Sequence, residues 1–207
     1  MMDILTEMSE NYSEAALGRA LINLFPGGSS IDLLLTSRWD SYKKKWLEEL
    51  VGYFKKELKR LDASKVDKTF LESEEFYDII QRVIYDSLVS RIQEKRIAYA
   101  KSTIDFLENP TNIFDLEETI SCISNIRERD FLYCKTIAIL IKTKDNFRSV
   151  DFKDMLINMT YSEEEIRKHL YRLANLEIID YPRNTLTIDP VFNITTLGRK
   201  LLNYMDL

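Results

Sequence analysis

Histidine occurs once in this 207-residue chain and cysteine twice. Cys122 and Cys134 lack the close spacing of a zinc site, and no other cluster of metal-ligand type accompanies them. Both sit inside apolar helical patterns and read as buried, reduced thiols of a cytoplasmic protein. Glycine is scarce as well: the five present form no phosphate-cradling loop, and no nucleophile elbow appears. His169, alone, has no partner in view for work as a catalytic base and reads as a half-buried structural side chain. The acidic group Glu72, Glu74, Glu75 and Asp78 opens a helix, where the backbone dipole already favours carboxylates. The expectation is a non-enzyme with no cofactor and no metal.

A long apolar run is also missing. No segment approaches the roughly 18–20 apolar residues of a membrane span, and no basic stretch precedes an apolar core at the N-terminus. Secretion and a transmembrane helix are therefore not expected. Residues 15–35 form two apolar segments broken by Pro26-Gly27-Gly28. They read as a buried helical hairpin, with an interfacial membrane contact as the alternative that Arg19 and Asp32 oppose. Excess positive charge is lacking too, since the formal net charge is −5. That excludes coating nucleic acid by bulk electrostatics and leaves only local DNA contact.

With 45% apolar residues, the chain has ample material for a core. The spacing predicts a helix within 4–25, stopped at the Pro-Gly-Gly turn, and a longer one over 37–61. In the latter, Trp39, Tyr42, Trp46, Leu50, Phe54, Leu58 and Leu61 hold one stripe, with Lys43, Lys44, Lys45, Lys55, Lys56, Lys59 and Arg60 mostly off it. Thr69 and Glu72 match a capping box. From there the apolar period continues to Glu108, which predicts one helix ~60 Å long, ended by Asn109-Pro110. A shorter helix covers 115–126. Long helices with single apolar faces need partners, so residues 1–126 read as an antiparallel bundle that oligomerises, as a homodimer, or senses a partner.

Beyond it, Phe131, Ile137, Ala138, Leu140 and Ile141 mark a helix, residues 148–150 a minimal strand, and 151–158 a short second helix. Thr160-Tyr161 is a turn, and Ser162 with Glu165 forms a capping box that opens the next helix. Residues 178–180 and 186–188 alternate like strands around the turn-rich 181–185, and a last helix starts near Ile194. That order, with the Thr-Thr-Leu-Gly pattern at 195–198, resembles the winged helix-turn-helix of MarR-like and related bacterial regulators. The resemblance is confined to the C-terminal third and implies a winged helix with a small β-hairpin wing over 127–207; with the long-helix bundle that the periodicity predicts over 1–126, the expected fold is mostly α. A long-helix bundle departs from the MarR-like plan, in which short flanking helices make the dimer.

On the presumed reading helix, Ile166, Leu170, Leu173 and Ala174 should pack inward. Tyr161, Glu164, Glu165, Lys168, Tyr171, Arg172 and Asn175 then face out. Lys168 and Arg172 suit phosphates or guanine edges, Asn175 suits adenine, and Arg183 sits at the wing tip. Glu163, Glu164 and Glu165 favour the helix dipole but repel phosphate. From Glu128 onward there are twelve Lys and Arg and twelve Asp and Glu, so this part is neutral. The resulting expectation is a prokaryotic or phage-type transcriptional regulator that contacts duplex DNA through Lys168, Tyr171, Arg172, Asn175 and Arg183. The alternative is an adaptor or effector, in a defence or stress system for example, whose winged helix binds protein.

Overall fold

A computed structural model describes residues 40–61, 66, 70, 73–108, 113–144, 146–155, 162–180 and 190–207. The described residues form eight helices and three short strands. The chain divides into two compact units, one ending at Ile120 and the other beginning at Ser121. Among the described residues, no helix is long and apolar enough to cross a membrane. The helix expected within 4–25, the segment 15–35 and the Thr69–Glu72 capping box lie outside the described residues.

In the first unit, α1 (Asp40–Leu58) buries Leu47, Leu50, Val51, Phe54 and Leu58. This is a helical stripe, rotated from the expected one. Tyr42 is exposed and Trp46 half-buried, because the Trp46 ring lies at the seam's edge beneath the Arg96 guanidinium, 5.5 Å from its centroid.

The single helix expected up to Glu108 is two helices. Ser73 caps α2 (Glu74–Val89) by accepting from the Phe76 amide at 3.2 Å, and α3 (Gln93–Glu108) follows an extended residue, Ser90. The break is stabilised from a distance. Arg96 donates to the Ser90 carbonyl at 2.7 Å and grips the Glu49 carboxylate of α1 through Nε (3.0 Å) and a terminal nitrogen (2.7 Å). At 2% exposure, Arg96 is a buried cation whose donors are met by acceptors from two elements. Across the turn the Tyr99 hydroxyl donates to Asp86 at 3.4 Å. Each helix is then about 24 Å long rather than ~60 Å.

The helix α4 (Ile113–Asn125) spans the division between the units. In the second unit α5 (Glu128–Leu140) is buried on most sides, with Phe131, Tyr133, Cys134, Ile137, Ala138 and Leu140 all inside. Then come β1 (Asn146–Phe147), α6 (Ser149–Met155), α7 (Glu163–Asn175), β2 (Ile179–Asp180), β3 (Phe192–Ile194) and α8 (Thr196–Tyr204). The strand expected over 148–150 thus ends at Phe147, and the helix expected from residue 151 already starts at Ser149. The antiparallel sheet has the order β1-β3-β2, with Phe147 opposite Phe192 and Ile179 opposite Ile194. Phe147, Phe152, Phe192 and Tyr133 form an aromatic core beneath it, with neighbouring centroids 5.6–6.2 Å apart.

Two local devices tie α7 and α8 to the sheet. Glu177 takes the left-handed conformation, φ 58°, which lets the Ile178 amide reach the Leu173 carbonyl and the Glu177 amide the Ala174 carbonyl. This closes the end of α7 as a Schellman motif without the usual glycine. The helix expected near Ile194 starts two residues later, because Ile194 pairs in β3 and Thr195 is the cap, accepting from the Gly198 amide at 2.8 Å. Thr195 also donates its amide to the Ile178 carbonyl (3.2 Å), and its hydroxyl lies 2.5 Å from the Glu177 carbonyl and 3.1 Å from that of Ile178. Gly198 faces that carbonyl so closely that an added Cβ would lie 1.9 Å from its oxygen.

Candidate nucleic-acid interface

The sequence marks α7 sharply because its signals are local. Ser162 Oγ accepts from the Glu165 amide at 3.3 Å, and the Glu165 carboxylate accepts from the Ser162 amide at 2.9 Å. These bonds from the Ser162 amide and hydroxyl hold the Glu165 carboxyl below its ordinary value. Of the three N-terminal glutamates, Glu165 is therefore committed to the cap. Ile166, Leu170, Leu173 and Ala174 are buried, as their spacing predicts.

The opposite side carries the expected contact residues, and the structure separates them. Lys168 and Asn175 are exposed, as is Glu164. Tyr171 is half-buried, edge-on to the Phe192 ring of β3 at 5.9 Å. Arg172 is also half-buried: Nε donates to Asp130 Oδ2 at 2.6 Å and a terminal nitrogen donates to the Asn125 carbonyl at 2.9 Å. Arg183, Tyr161 and the strand expected at 186–188 lie outside the described residues, as do Thr160 and the turn at 181–185.

Asp130 was not singled out from sequence, yet it organises this face. It sits in the first turn of α5 with 0% exposure. One carboxylate oxygen accepts from Arg172 and from the Arg127 amide (3.0 Å), and the other meets His169 Nδ1 at 3.0 Å. Burial pushes the Asp130 carboxyl up, but the bonds from Arg172, His169 and the Arg127 amide outweigh it and hold the group below its ordinary value. His169 stacks on Tyr133 with centroids 4.7 Å apart and planes 19° apart; it is half-buried, as expected, but has in Asp130 a partner that the sequence did not show. The only trace of this cluster in the sequence is an acid three residues after Arg127, at the start of a helix.

The chain matches no family model, no curated protein and no solved structure.

Among the described residues, no group of three or more His, Cys, Asp or Glu side chains could hold a metal. Neither Cys122 nor Cys134 is in a disulfide, and both are buried. The Cys122 thiol donates to the Leu176 carbonyl at 3.3 Å, and burial pushes the Cys134 thiol far above its ordinary value, away from the reactive thiolate. What remains is a helix with one face in the core and an exposed face bearing Glu164, Lys168 and Asn175. At positions 169 and 172 the half-buried His169 and Arg172 bond to the buried Asp130 carboxylate.

Proposed function

We propose that the C-terminal unit is a winged helix-turn-helix that binds duplex DNA, in a transcriptional regulator of prokaryotic or phage type. The order α5-β1-α6-α7-β2-β3 supports the fold assignment: a short helix precedes an amphipathic one, and β1, β2 and β3 form a three-stranded antiparallel sheet. The observation that carries the functional reading is the exposed Lys168 and Asn175 on a helix whose opposite face is wholly buried. Lys168 suits a phosphate or guanine edge and Asn175 an adenine edge, with Tyr171 beside them; Arg183, expected from the sequence to join them, lies outside the described residues. Two copies in a homodimer would supply two such helices, about one helical turn of DNA apart, which compensates for a neutral domain. No catalytic role, cofactor or metal is assigned.

Binding of fluorescent duplexes, from a random pool and from the gene's own upstream region, tests this between 50 and 200 mM salt. Affinity should fall steeply with salt, and K168A should weaken it roughly tenfold while reducing the log–log slope by about one. Absent or salt-insensitive binding refutes the proposal.

A second reading has its own support. Glu163, Glu164 and Glu165 open the helix at the end that ordinarily approaches bases, and the Arg172 charge is already matched by Asp130. Both features suit an adaptor or effector whose winged helix binds a protein, to be sought as a co-purifying neighbouring gene product.

A further inference from the structure

We infer that Asp130 is the positioning residue of the DNA-reading helix, and that Arg172 serves DNA binding through Asp130 rather than by touching the duplex; this rests on the DNA reading proposed above. The apolar seam Ile166, Leu170, Leu173 and Ala174 settles which side of α7 faces inward. Apolar contact is non-directional, however, and it tolerates small rolls of the helix about its axis. A roll of about 20° moves the outer surface of a helix by about 2 Å, given a side-chain radius of roughly 5–6 Å. Base readout tolerates about 0.5 Å. Directional bonds are therefore needed to hold Lys168 and Asn175 in register.

The Asp130 cluster supplies them. His169 and Arg172 are three residues apart on α7, and both reach the same carboxylate, at 3.0 and 2.6 Å. That carboxylate is itself fixed by the Arg127 amide at the start of α5. The second arm of Arg172 ends on the Asn125 carbonyl at the end of α4. Two points one turn apart on α7 are thus tied to the junction between α4 and α5. Charge-assisted bonds of this length are directional and strong. Because a wholly buried carboxylate balances the Arg172 guanidinium, that residue adds little net positive charge to the surface. Positioning and phosphate contact are then separable: the first governs sequence preference, and the second governs the salt slope.

The test uses the full chain and four variants, D130N, R172Q, D130N/R172Q and K168A. A preferred duplex is selected from a randomised pool with the wild type. Affinities for it and for a scrambled duplex are then measured from 50 to 200 mM salt, at a temperature where circular dichroism shows each protein folded. D130N and R172Q should each lower the preferred-to-scrambled ratio about tenfold or more with the slope unchanged, and the double variant should be no worse than either single one. K168A should instead reduce the slope by about one. Where D130N does not fold, R172K serves: it keeps the charge but loses the two-point grip, so the ratio should fall while the slope holds.

A slope reduced by about one in R172Q, with the ratio unchanged in D130N or R172K, makes Arg172 a phosphate contact and overturns the inference. An unchanged ratio in folded D130N and R172Q makes the cluster merely structural and overturns it too. If the wild type selects no duplex at all, the DNA reading itself fails and this inference fails with it.

Discussion

Replacing Gly198 by alanine should destabilise the C-terminal unit, although alanine is the better helix former. The glycine is the third residue of α8, and a Cβ there would lie 1.9 Å from the Ile178 carbonyl oxygen, 2.8 Å from its carbon and 2.7 Å from the Ile194 δ-methyl. The methyl can swing aside, but the carbonyl is backbone and is held by the amide of Thr195. Carbon–oxygen contacts settle near 3.3 Å, so α8 must retreat by about 1.4 Å. Overpacking of this kind costs about 1–3 kcal/mol, and each hydrogen bond lost to the retreat about 1 kcal/mol more. The gain in helix propensity returns only about 0.5–1 kcal/mol. A net loss of about 2–4 kcal/mol is expected, a large share of the stability of a small domain. Urea unfolding followed by circular dichroism would show it as a lower midpoint at constant m-value. If G198A unfolds at the wild-type midpoint or above, α8 does not approach Ile178 this closely and the reasoning is refuted.

The Asp130 carboxyl is held below its unfolded value of about 3.9, so its contribution to stability is fully present above that pH and is lost as pH falls through the lower folded value. Acid titration of stability should therefore show a component below about pH 4 in the wild type that D130N lacks; identical acid profiles would count against the cluster. In the first unit, R96M should cost about 2–4 kcal/mol, since it strips the Glu49 carboxylate and the Ser90 carbonyl of their shared donor. A urea midpoint within error of wild type would show that Arg96 does not hold the turn between α2 and α3.

What the sequence made legible was local. The Ser162–Glu165 box and the four buried positions of α7 lie within one helix, and short-range spacing specifies them completely. The Asn109-Pro110 stop is likewise a local signal; those two residues lie outside the described ones, and α3 is described up to Glu108. The break at Ser90 was hidden because residues 87–91, Ser-Leu-Val-Ser-Arg, contain neither proline nor glycine, and the apolar period runs on through the turn. Arg96 braces it by meeting Glu49, 47 residues away in sequence, and the Ser90 hydroxyl accepts from the Ile92 amide at 3.3 Å. The same limit applies to the site. Lys168 and Asn175 were visible as the outward residues of a periodic helix, whereas Arg172 shares that outward spacing and is drawn instead to Asp130, 42 residues back. Strands of two or three residues are too short to carry a period, so β1 and β3 were misplaced or missed.

The two buried thiols give the C-terminal unit a built-in chemical clock. Cys134 is buried in α5, and the thiol of Cys122, in α4, meets the Leu176 carbonyl at the end of α7. Neither can react with an alkylating reagent until its surroundings open. The labelling rate of each would then report the free energy of opening at that point, with no introduced probe, wherever reclosing is faster than the chemistry. Two sites in one chain would tell whether the helix ends part before the core does, or whether the unit opens as a single piece.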